Sequence, residues 1–358
     1  MKVAFRCDGS VLIGTGHVMR CLALADALYQ SGHEVVFIYR HMTNALKNIL
    51  KERGFGTYSL LQDNAVVVTS TVEKHTPDKS KQENPYLHWL GVSEEQDAAD
   101  TLQVLNSIQV DWLIVDHYAL TLDWHQTIKT SGCQLLIIDD LDRPYAGDLS
   151  LDPNKVDDFH RLSGPQYALI HSRFSQHAQA LPARSKLSRV LIFFGGIDSG
   201  NITSIALHGL MPLLEQQPLI LDVVVGKQNP NIDTVKTLCD HPNIQLYIQT
   251  DQMPELMASA DLFIGAAGSA NWERCVMGLP AVLCTLADNQ KVIAEQSQQH
   301  DSALYLGEGE AVEGEDFNQA VQSLMQNNSR VQQLSINAQN LCDGHGCRRV
   351  IAVMENMR

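Results

Sequence analysis

The sequence is poor in positive charge and has no long apolar run. Among its 358 residues, 26 lysines and arginines stand against 41 aspartates and glutamates, so the formal net charge is −15. This excess of negative charge argues against general attraction to nucleic acid or to an anionic membrane surface. No stretch reaches the about 18 consecutive apolar residues of a membrane span, and the opening MKVAFRCDGS has the pattern of a strand, not of a signal peptide. We therefore expect a cytoplasmic protein that has neither nucleic acid nor membrane as a partner.

None of the eight cysteines belongs to a Cys-x-x-Cys pair, and most lie singly in apolar segments. Such thiols are typical of the reduced interior of a cytosolic protein. Cys342, His345 and Cys347 form one short cluster, but a fourth ligand at suitable spacing is lacking, so no metal site is predicted there. With 44% hydrophobic residues, the chain has enough apolar material for two domains of ordinary size.

A short apolar strand, a glycine-bearing loop and an amphipathic helix follow one another at the N-terminus. Gly14 and Gly16 lie in the loop, and His17 stands where the helix begins. This order places backbone N–H groups and the positive end of a helix dipole beside a substrate crevice, which suits an anion. The dipole disfavours a protonated imidazole, so His17 is a candidate general base for hydrolysis or transfer at a phosphate-bearing substrate. The alternative is a purely structural turn whose histidine bonds a backbone carbonyl.

Two further buried strands, over residues 111–118 and 134–142, end in polar side chains. Because the carboxyl ends of parallel strands face the ligand crevice, these side chains are expected to share one rim with His17. An alternative interpretation treats Asp140-Leu-Asp142 as the metal site of another class of sugar-nucleotide enzyme. The residues predicted at the rim are Asp116, His117, Tyr118, Asp139 and Asp140.

The second half of the chain repeats the pattern of the first. After a polar stretch at 180–188, a strand ends in Gly195 and Gly196, and strands then alternate with helices. This predicts an α/β protein of two doubly wound Rossmann-like domains facing each other across a cleft, over residues 1–181 and 189–358. The last helix is expected to pack back on the first domain. Residues 73–85 are polar and aperiodic, which predicts a surface loop or an active-site lid.

The most informative stretch of the second half runs from Asp261 to Pro280. A strand leads into small residues, so the amides of Gly268 and Ser269 can approach a diphosphate. One turn further along, Glu273 can accept hydrogen bonds from a ribose diol. The alternative is a plain strand-to-helix turn, in which Glu273 is a solvated acid of the first helical turn.

Taken together, these stretches resemble the UDP-sugar hydrolases of pseudaminic acid biosynthesis. The resemblance covers nearly the whole chain in order and implies a glycosyltransferase-B-type fold used for hydrolysis. It implies as substrate a UDP-linked 2,4-diacetamido-2,4,6-trideoxyhexose of L-altro configuration, with water as the second reactant, no cofactor and no metal, in a pathway tied to flagellin glycosylation. The oligomeric state stays open. The matching segments are Val3-Ala-Phe-Arg-Cys-Asp8, Ile13-Gly-Thr-Gly-His-Val-Met-Arg20, Ile-Val-Asp-His-Tyr118, Ile-Asp-Asp140, Phe-Phe-Gly-Gly196 and Gly-Ser-Ala-Asn-Trp-Glu-Arg274.

The resemblance also implies roles for single residues. His17 activates water for inverting attack at C1, and Tyr118 lies by the sugar. Where the family pattern leads us to expect an arginine, the chain has His171, and Arg173 is the candidate replacement. The substrate-binding candidates are Arg6, Asp8, Gly14, Gly16, Arg20, Tyr118, Asp139 and Arg173. The UDP-binding candidates are Gly195, Gly196, Gly268, Ser269, Asn271 and Glu273.

Three other functions fit the same residues. A glycosyltransferase of this fold would pass the sugar to an acceptor, and a non-catalytic nucleotide-sugar-binding protein would use His17 only structurally. A 2-epimerase that works through UDP elimination is the third. Release of UDP in water alone separates hydrolysis from transfer and from binding, and NMR of the product separates it from epimerisation.

Overall fold

A computed structural model of the chain describes residues 1–10, 12–61, 84–155 and 162–357. These residues divide into two compact units, one built mainly from 1–152 and 353–357 and the other mainly from 163–352. The division therefore precedes residue 163, whereas polar composition alone placed a linker near 180–188. The reason is that Phe174 packs into the apolar core of the second unit and that Arg184 donates to the backbone carbonyls of Ala260 and Met257.

The first unit is built on a seven-stranded sheet whose first six strands pair in parallel and whose first five strands are connected by helices. The sheet has the order β3-β2-β1-β4-β5-β6-β7. Strand order reverses beside β1, whose neighbours are β2 and β4, and this is the position where α/β sheets bind ligands. The elements are β1 (Lys2–Cys7), α1 (Gly16–Gln30), β2 (Glu34–Tyr39), α2 (Asn44–Glu52), β3 (Gly56–Ser59), α3 (Glu94–Ile108), β4 (Trp112–Asp116), α4 (Leu122–Ile128), β5 (Gln134–Ile138), β6 (Leu149–Asp152) and β7 (Leu162–Ser163).

Local sequence explains most of these boundaries. The side chains of Thr43 and Ser93 accept hydrogen bonds from the first turns of α2 and α3, as N-cap residues do. β1 and β4 are buried along almost their whole length, which fits central strands of a sheet covered on both faces. The strands predicted at 111–118 and 134–142 are confirmed as β4 and β5, which begin within one residue of the prediction and end two and four residues earlier. Residues 73–83 of the predicted loop lie outside the described residues.

The second unit contains a six-stranded parallel sheet of order β10-β9-β8-β11-β12-β13. Here the order reverses beside β8, between β9 and β11. The elements are α5 (Ser172–Ala178), β8 (Arg189–Phe193), α6 (Ile202–Gln216), β9 (Ile220–Val225), α7 (Ile232–Leu238), β10 (Ile244–Ile248), α8 (Met253–Ser259), β11 (Leu262–Ala266), α9 (Ala270–Val276), β12 (Ala281–Thr285), α10 (Lys291–Gln299), β13 (Ala303–Glu308), α11 (Gly314–Met325), α12 (Asn328–Leu341) and α13 (Gly346–Asn356).

The sheet of the second unit divides its core into two layers. Along β8, Val190 and Ile192 pack into one apolar cluster while Leu191 packs into the other, as expected when alternate side chains point to opposite faces. Along β11, Ile264 joins the first cluster and Phe263 the second. Helices thus cover both faces, which is the doubly wound α/β arrangement predicted from the sequence.

The end of the chain groups with the first unit. The backbone carbonyl of Met357 accepts a hydrogen bond from Gln134 Nε2 at 2.9 Å, and the carboxylate of Glu355 lies 3.1 Å from His33 Nε2. In the part of the chain that the structure describes, no helix combines the length and apolar character needed to cross a membrane.

Candidate functional site

His17 is held by a buried carboxylate at the reversal point of the first sheet. Its Nδ1 lies 2.6 Å from Oδ1 of Asp116, the last residue of β4, which is paired with Cys7 at the end of β1. Asp116 is fully buried, and the His17 side chain keeps only 8% of its surface exposed. An ionised carboxylate can only accept a hydrogen bond, so the Nδ1 that faces Asp116 carries a proton. In the neutral imidazole, Nε2 then has a free lone pair. Nε2 makes no hydrogen bond within the described residues, so it is available to accept a proton.

Asp116 stays ionised because Arg20 donates hydrogen bonds to both of its carboxylate oxygens. Arg20 lies one turn of α1 beyond His17, and its Nε and Nη2 lie 2.5 and 2.7 Å from the two carboxylate oxygens of Asp116. Burial alone would raise the pKa of Asp116, but the charge of Arg20 and the hydrogen bonds that Arg20 and His17 donate lower it far below the usual range. Arg20 Nη1 also donates to Asp140, at 3.2 Å. The guanidinium of Arg20 thus bonds two carboxylates and positions Asp116, and its predicted contact with substrate stays a prediction.

Tyr118 extends this group of side chains. Its ring meets the His17 ring edge to face, with the centroids 4.5 Å apart, and its hydroxyl donates to Asp140 at 2.5 Å. Burial, followed by the charge of Asp140, keeps the pKa of Tyr118 well above its usual value despite the opposing charge of Arg20, so the hydroxyl stays protonated. The rim predicted from the strand ends is thus present for Asp116, Tyr118 and Asp140.

Asp139 and His117 accept hydrogen bonds from backbone N–H groups around this rim. Asp139 accepts from the N–H of Leu141 at 2.9 Å and from Arg143 Nε at 3.1 Å, so it holds the loop after β5. His117 accepts from the N–H of Ala119 through Nδ1 and faces Asp8 through Nε2. Burial lowers the pKa of His117, which favours the neutral ring with its proton on Nε2. Asp139 was predicted to bind substrate; in the structure both of its oxygens are occupied by the protein.

Arg6 and Asp8, also predicted to contact substrate, lie in the interior. Arg6 donates to Asp8 at 2.8 Å and to Asp97 at 2.7 Å, and none of these side chains is exposed. Asp8 also accepts from the backbone N–H of Arg40 at 2.7 Å. Burial opposes the charge on Asp8, but Arg6 and His117 lower the pKa of this carboxyl far below its usual range. The two residues therefore secure the loop after β1, and their predicted contacts with substrate stay predictions.

The glycines of that loop leave open space above the backbone. Gly14 has φ +82°, a conformation that favours glycine, and its N–H donates to the carbonyl of Ser10 at 2.8 Å. A Cβ placed on Gly14 or Gly16 would meet no atom within 4 Å. The loop thus offers an uncovered backbone beside His17, which is the local property needed for close approach of an anion.

The second unit has a similar uncovered backbone at its own reversal point. Gly195 and Gly196 follow β8, and Gly268 and Ser269 follow β11. Gly195 has φ +94°, and a Cβ on it or on Gly196 would meet nothing within 4 Å. A Cβ on Gly268 would approach only the side-chain amide of Gln290, at 3.8 Å.

Glu273 and Asn271 lie close in sequence but in different surroundings. Asn271 is fully buried, and its Oδ1 accepts from Arg274 Nε and Nη2 at 3.0 and 2.7 Å. Asn271 thus holds the buried Arg274 in place, its Nδ2 is buried without a partner among the described residues, and its predicted role in binding UDP stays a prediction. Glu273 is half-buried, its carboxyl makes no hydrogen bond within the described residues, and burial raises its pKa to about 7. A carboxyl in this state is ready to accept hydrogen bonds from ligand hydroxyls.

Arg173 lies on α5 in the second unit. Its guanidinium donates to Glu255 at 2.6 Å and to the carbonyl of Asp251 at 3.2 Å, and its side chain is 43% exposed. His171 caps the same helix by accepting from the N–H of Arg173. In the structure Arg173 is therefore an anchor between α5 and α8, and the predicted substrate contact stays a prediction.

The cysteine cluster near the C-terminus has a packing role. The thiols of Cys342 and Cys347 donate to the carbonyls of Pro165 and Ile170, at 3.3 and 3.7 Å. A Cβ on Gly346, between them, would lie 2.2 Å from the carbonyl oxygen of Ala168. This close approach explains the Gly-His-Gly-Cys ending. Across the described ranges, no group of three or more histidine, cysteine or acidic side chains is arranged to hold a metal ion.

Sequence reasoning missed two features of the site. It placed Asp116 on the rim but did not identify it as the partner of His17, although the carboxyl ends of neighbouring strands are the obvious place for such a partner. It also passed over Trp89, whose ring centroid lies 6.2 Å from that of His17. No motif marks that tryptophan, because it lies outside the strands and the glycine-bearing loops.

Comparison with known proteins supports the fold and points to nucleotide sugars. Residues 190–345 match the glycosyltransferase family 28 C-terminal domain. The chain is 25% identical to the UDP-2,4-diacetamido-2,4,6-trideoxy-beta-L-altropyranose hydrolase of Campylobacter jejuni, over 75% of this chain and 86% of that protein. It is 26% identical to an uncharacterised protein of Methanocaldococcus jannaschii over 79% of its own length, and it spans only 55% of that relative.

Solved structures with the same fold cover nearly the whole chain. MurG of Acinetobacter baumannii superposes with a TM-score of 0.67 at 19% identity, covering 99% of both chains. The UDP-GlcNAc 2-epimerase of Neisseria meningitidis, solved with UDP-GlcNAc bound, superposes with a TM-score of 0.65 at 12% identity, covering 99% of this chain and 100% of that one. The chain thus has a two-domain Rossmann-like fold of the glycosyltransferase-B type, and its sequence is similar to that of a UDP-sugar hydrolase.

Proposed function

We propose that the protein hydrolyses a UDP-linked 2,4-diacetamido-2,4,6-trideoxyhexose of L-altro configuration to UDP and the free sugar, as a step of pseudaminic acid biosynthesis. The observation that carries this proposal is the His17–Asp116 pair: the Nδ1 of His17 lies 2.6 Å from a buried carboxylate, and its Nε2 has no hydrogen-bond partner among the described residues. This is the arrangement expected of a general base. The choice of sugar rests on the similarity to the Campylobacter jejuni hydrolase.

In the proposed reaction, water attacks C1 of the sugar from the side opposite the diphosphate. The oxygen of water bonds to C1, the bond between C1 and the diphosphate oxygen breaks, and UDP departs with the electron pair. His17 Nε2 takes a proton from the attacking water, and Asp116 stabilises the imidazolium that forms. A positioned general base contributes roughly 10²–10⁴-fold to the rate. The product has the inverted configuration at C1.

The second unit is proposed to bind the UDP moiety. Glu273 would accept hydrogen bonds from the ribose hydroxyls, since its carboxyl is half-buried and has no partner among the described residues. The uncovered backbone of Gly195, Gly196, Gly268 and Ser269 would approach the diphosphate. In support, this part of the chain matches the glycosyltransferase family 28 C-terminal domain.

Transfer of the sugar to an acceptor is the second candidate, because residues 190–345 match the glycosyltransferase family 28 C-terminal domain. The deciding experiment is incubation of the purified protein with the UDP-linked diacetamido sugar in water, with UDP release followed by chromatography. Multiple turnovers without any acceptor support hydrolysis. If UDP appears only after an acceptor is added, the protein is a transferase. If UDP never appears but the UDP-sugar raises the melting temperature, it is a binding protein.

A further inference from the structure

Three aromatic side chains, Tyr86, Trp89 and Tyr118, pack together beside His17, and we call them the aromatic wall. The ring planes of Trp89 and Tyr118 lie within 27° of parallel, with their centroids 5.9 Å apart. Tyr86 contacts both rings, at 4.8 and 5.2 Å between centroids. The ring of Trp89 meets His17 edge to face at 6.2 Å. The wall therefore borders the side chain that we propose as the base.

Trp89 differs from the other three tryptophans of the chain. Trp112, Trp124 and Trp272 are buried, and the last two donate their indole N–H groups to Asp97 and Asn154. Trp89 is half-buried, and within the described residues its indole N–H makes no hydrogen bond. A large, partly exposed aromatic ring with an available donor next to the proposed base has the properties of a ligand contact.

Hydrogen bonds fix the backbone that carries the aromatic wall. Asn84 donates its side-chain amide to the carbonyl of Tyr118 at 2.8 Å and accepts from the N–H of Tyr86 at 3.0 Å. The residue after Trp89, Leu90, is fully buried, and its carbonyl accepts from His41 at 2.8 Å. These contacts fix the backbone on both sides of Trp89. Its ring packs at the margin of the apolar core of the first unit and keeps part of its surface exposed.

We propose that Trp89, supported by Tyr86, determines specificity by binding the apolar, acetamido-bearing face of the sugar; this inference rests on the proposed function. A 6-deoxy sugar with two N-acetyl groups presents three methyl groups in place of polar surface, and an aromatic ring is the matching partner. The indole N–H is available to donate to an acetamido carbonyl. Because the wall adjoins His17, a sugar with C1 at the attacking water lies against it.

The test compares affinities for UDP alone and for the UDP-linked diacetamido sugar. Calorimetry is carried out in the His17→Asn background, so that the sugar is not consumed, with and without Trp89→Ala and Trp89→Phe. We expect Trp89→Ala to weaken binding of the UDP-sugar about tenfold while leaving the affinity for UDP within about twofold. Trp89→Phe, which keeps a ring but lacks the N–H, is expected to fall between. Tyr29→Ala is the control, because Tyr29 is 58% exposed on the same unit, outside the wall.

An unchanged affinity of Trp89→Ala for the UDP-sugar overturns the proposal, and so does an equal loss for UDP and UDP-sugar. If Trp89→Ala does not fold, Trp89→Phe decides: it must weaken the UDP-sugar selectively, or the proposal fails. The proposed function is tested separately, by turnover of the wild-type protein. A wild type that binds the sugar selectively through Trp89 without releasing UDP contradicts hydrolysis and still supports the aromatic wall.

Discussion

The two units share one strand order but carry different groups at its reversal point. In the first unit, Asp116 at the end of β4 pairs with Arg20 and His17 of α1, and Nε2 of His17 has no partner among the described residues. In the second unit, the ends of β8 and β11 lead into glycines and to Glu273, whose carboxyl has no partner in the part of the chain that the structure describes. The same topology thus carries the proposed base in one unit and the proposed UDP-binding surface in the other. Mutations at the first site should therefore change the rate, and mutations at the second should change affinity for UDP.

The largest effect is expected from His17→Asn. Loss of the general base should lower kcat for UDP release by roughly 10²–10⁴-fold, because asparagine cannot take a proton from water. Affinity for UDP should stay within about twofold, since His17 belongs to the first unit. Steady-state UDP release and calorimetry check the two halves of this expectation. His345→Asn, at an exposed histidine outside both sites, serves as the control. Near-normal turnover of His17→Asn rules out its proposed role.

Asp116→Asn is expected to have the next largest effect, on rate and stability together. An amide at this position no longer fixes the proton on Nδ1 and cannot stabilise the imidazolium, so kcat should fall by roughly 10²-fold or more. Arg20 also loses its principal counter-charge, and breaking a buried ion pair costs about 3–5 kcal/mol. Urea unfolding measures this loss. Asp26→Asn, at a half-buried aspartate on the same helix as His17, gives the matched comparison. If Asp116→Asn keeps full activity, the pair has no catalytic meaning.

Glu273→Gln tests the binding side of the comparison. The carboxyl should bind a ribose diol in its ionised form, so wild-type affinity for UDP should rise as pH increases through about 7, the pKa to which burial raises this group. Glutamine should lower the affinity about tenfold at pH 8 and abolish this dependence. For folding the sign is reversed. The folded state binds the proton more tightly than the unfolded chain, so Glu273 destabilises the fold increasingly as pH rises from the ordinary value of 4.5 to about 7.

Calorimetry from pH 5.5 to 8.5 measures the first expectation for Glu273, and thermal melts over the same range measure the second. Glu295→Gln is the control for a general loss of negative charge in the same unit. A wild-type affinity that does not change with pH contradicts the assignment of Glu273 to the ribose.

The smallest expected effect comes from two glycine-to-alanine variants. They distinguish a glycine that lets the backbone approach a ligand from a glycine that is needed for packing within the protein. Gly268→Ala adds a Cβ that meets only Gln290, at 3.8 Å, so the melting temperature should hardly change while affinity for UDP falls several-fold. Gly226→Ala adds a Cβ 2.2 Å from the carbonyl oxygen of Gly196, so it should lower the melting temperature by several degrees. Differential scanning calorimetry with and without UDP checks both variants. The reverse pattern would mean that Gly268 serves the fold and not the ligand.

Much of the fold was predictable because its signals are local. Short apolar runs that end in glycine or polar residues predicted the parallel strands, and amphipathic spacing predicted the helices between them. The position of His17 followed from the same local order of strand, loop and helix. The unit boundary did not follow, since the segment before residue 189 is polar in composition but is held by Phe174 and Arg184, whose partners lie far away in sequence.

The candidate site was predicted less completely, because pairing between polar groups depends on non-local contacts. The family resemblance made Arg6 and Asp8 candidate substrate contacts, yet Arg6 pairs with Asp97 on α3, and all three side chains are buried. Asn271 similarly accepts a hydrogen bond from Arg274, three residues along α9. Glu273, on the same helix, kept no partner among the described residues. A motif identifies the residues near a site, but it does not show which of their side chains are hydrogen-bonded within the protein and which stay available to a ligand.

The sequence by itself determined the α/β periodicity, the two repeated strand–loop–helix openings and the presence of a histidine at the first of them. Those features depend on neighbours a few residues apart, so composition and spacing carry them. Only the tertiary structure decided that β4 lies beside β1, and therefore that Asp116 meets His17 at 2.6 Å and leaves Nε2 free. The physical reason is that an unpaired charge is expensive to bury. Buried charges find their partners only through the tertiary contacts of the whole sheet. These contacts therefore also determine which polar groups stay available to a ligand.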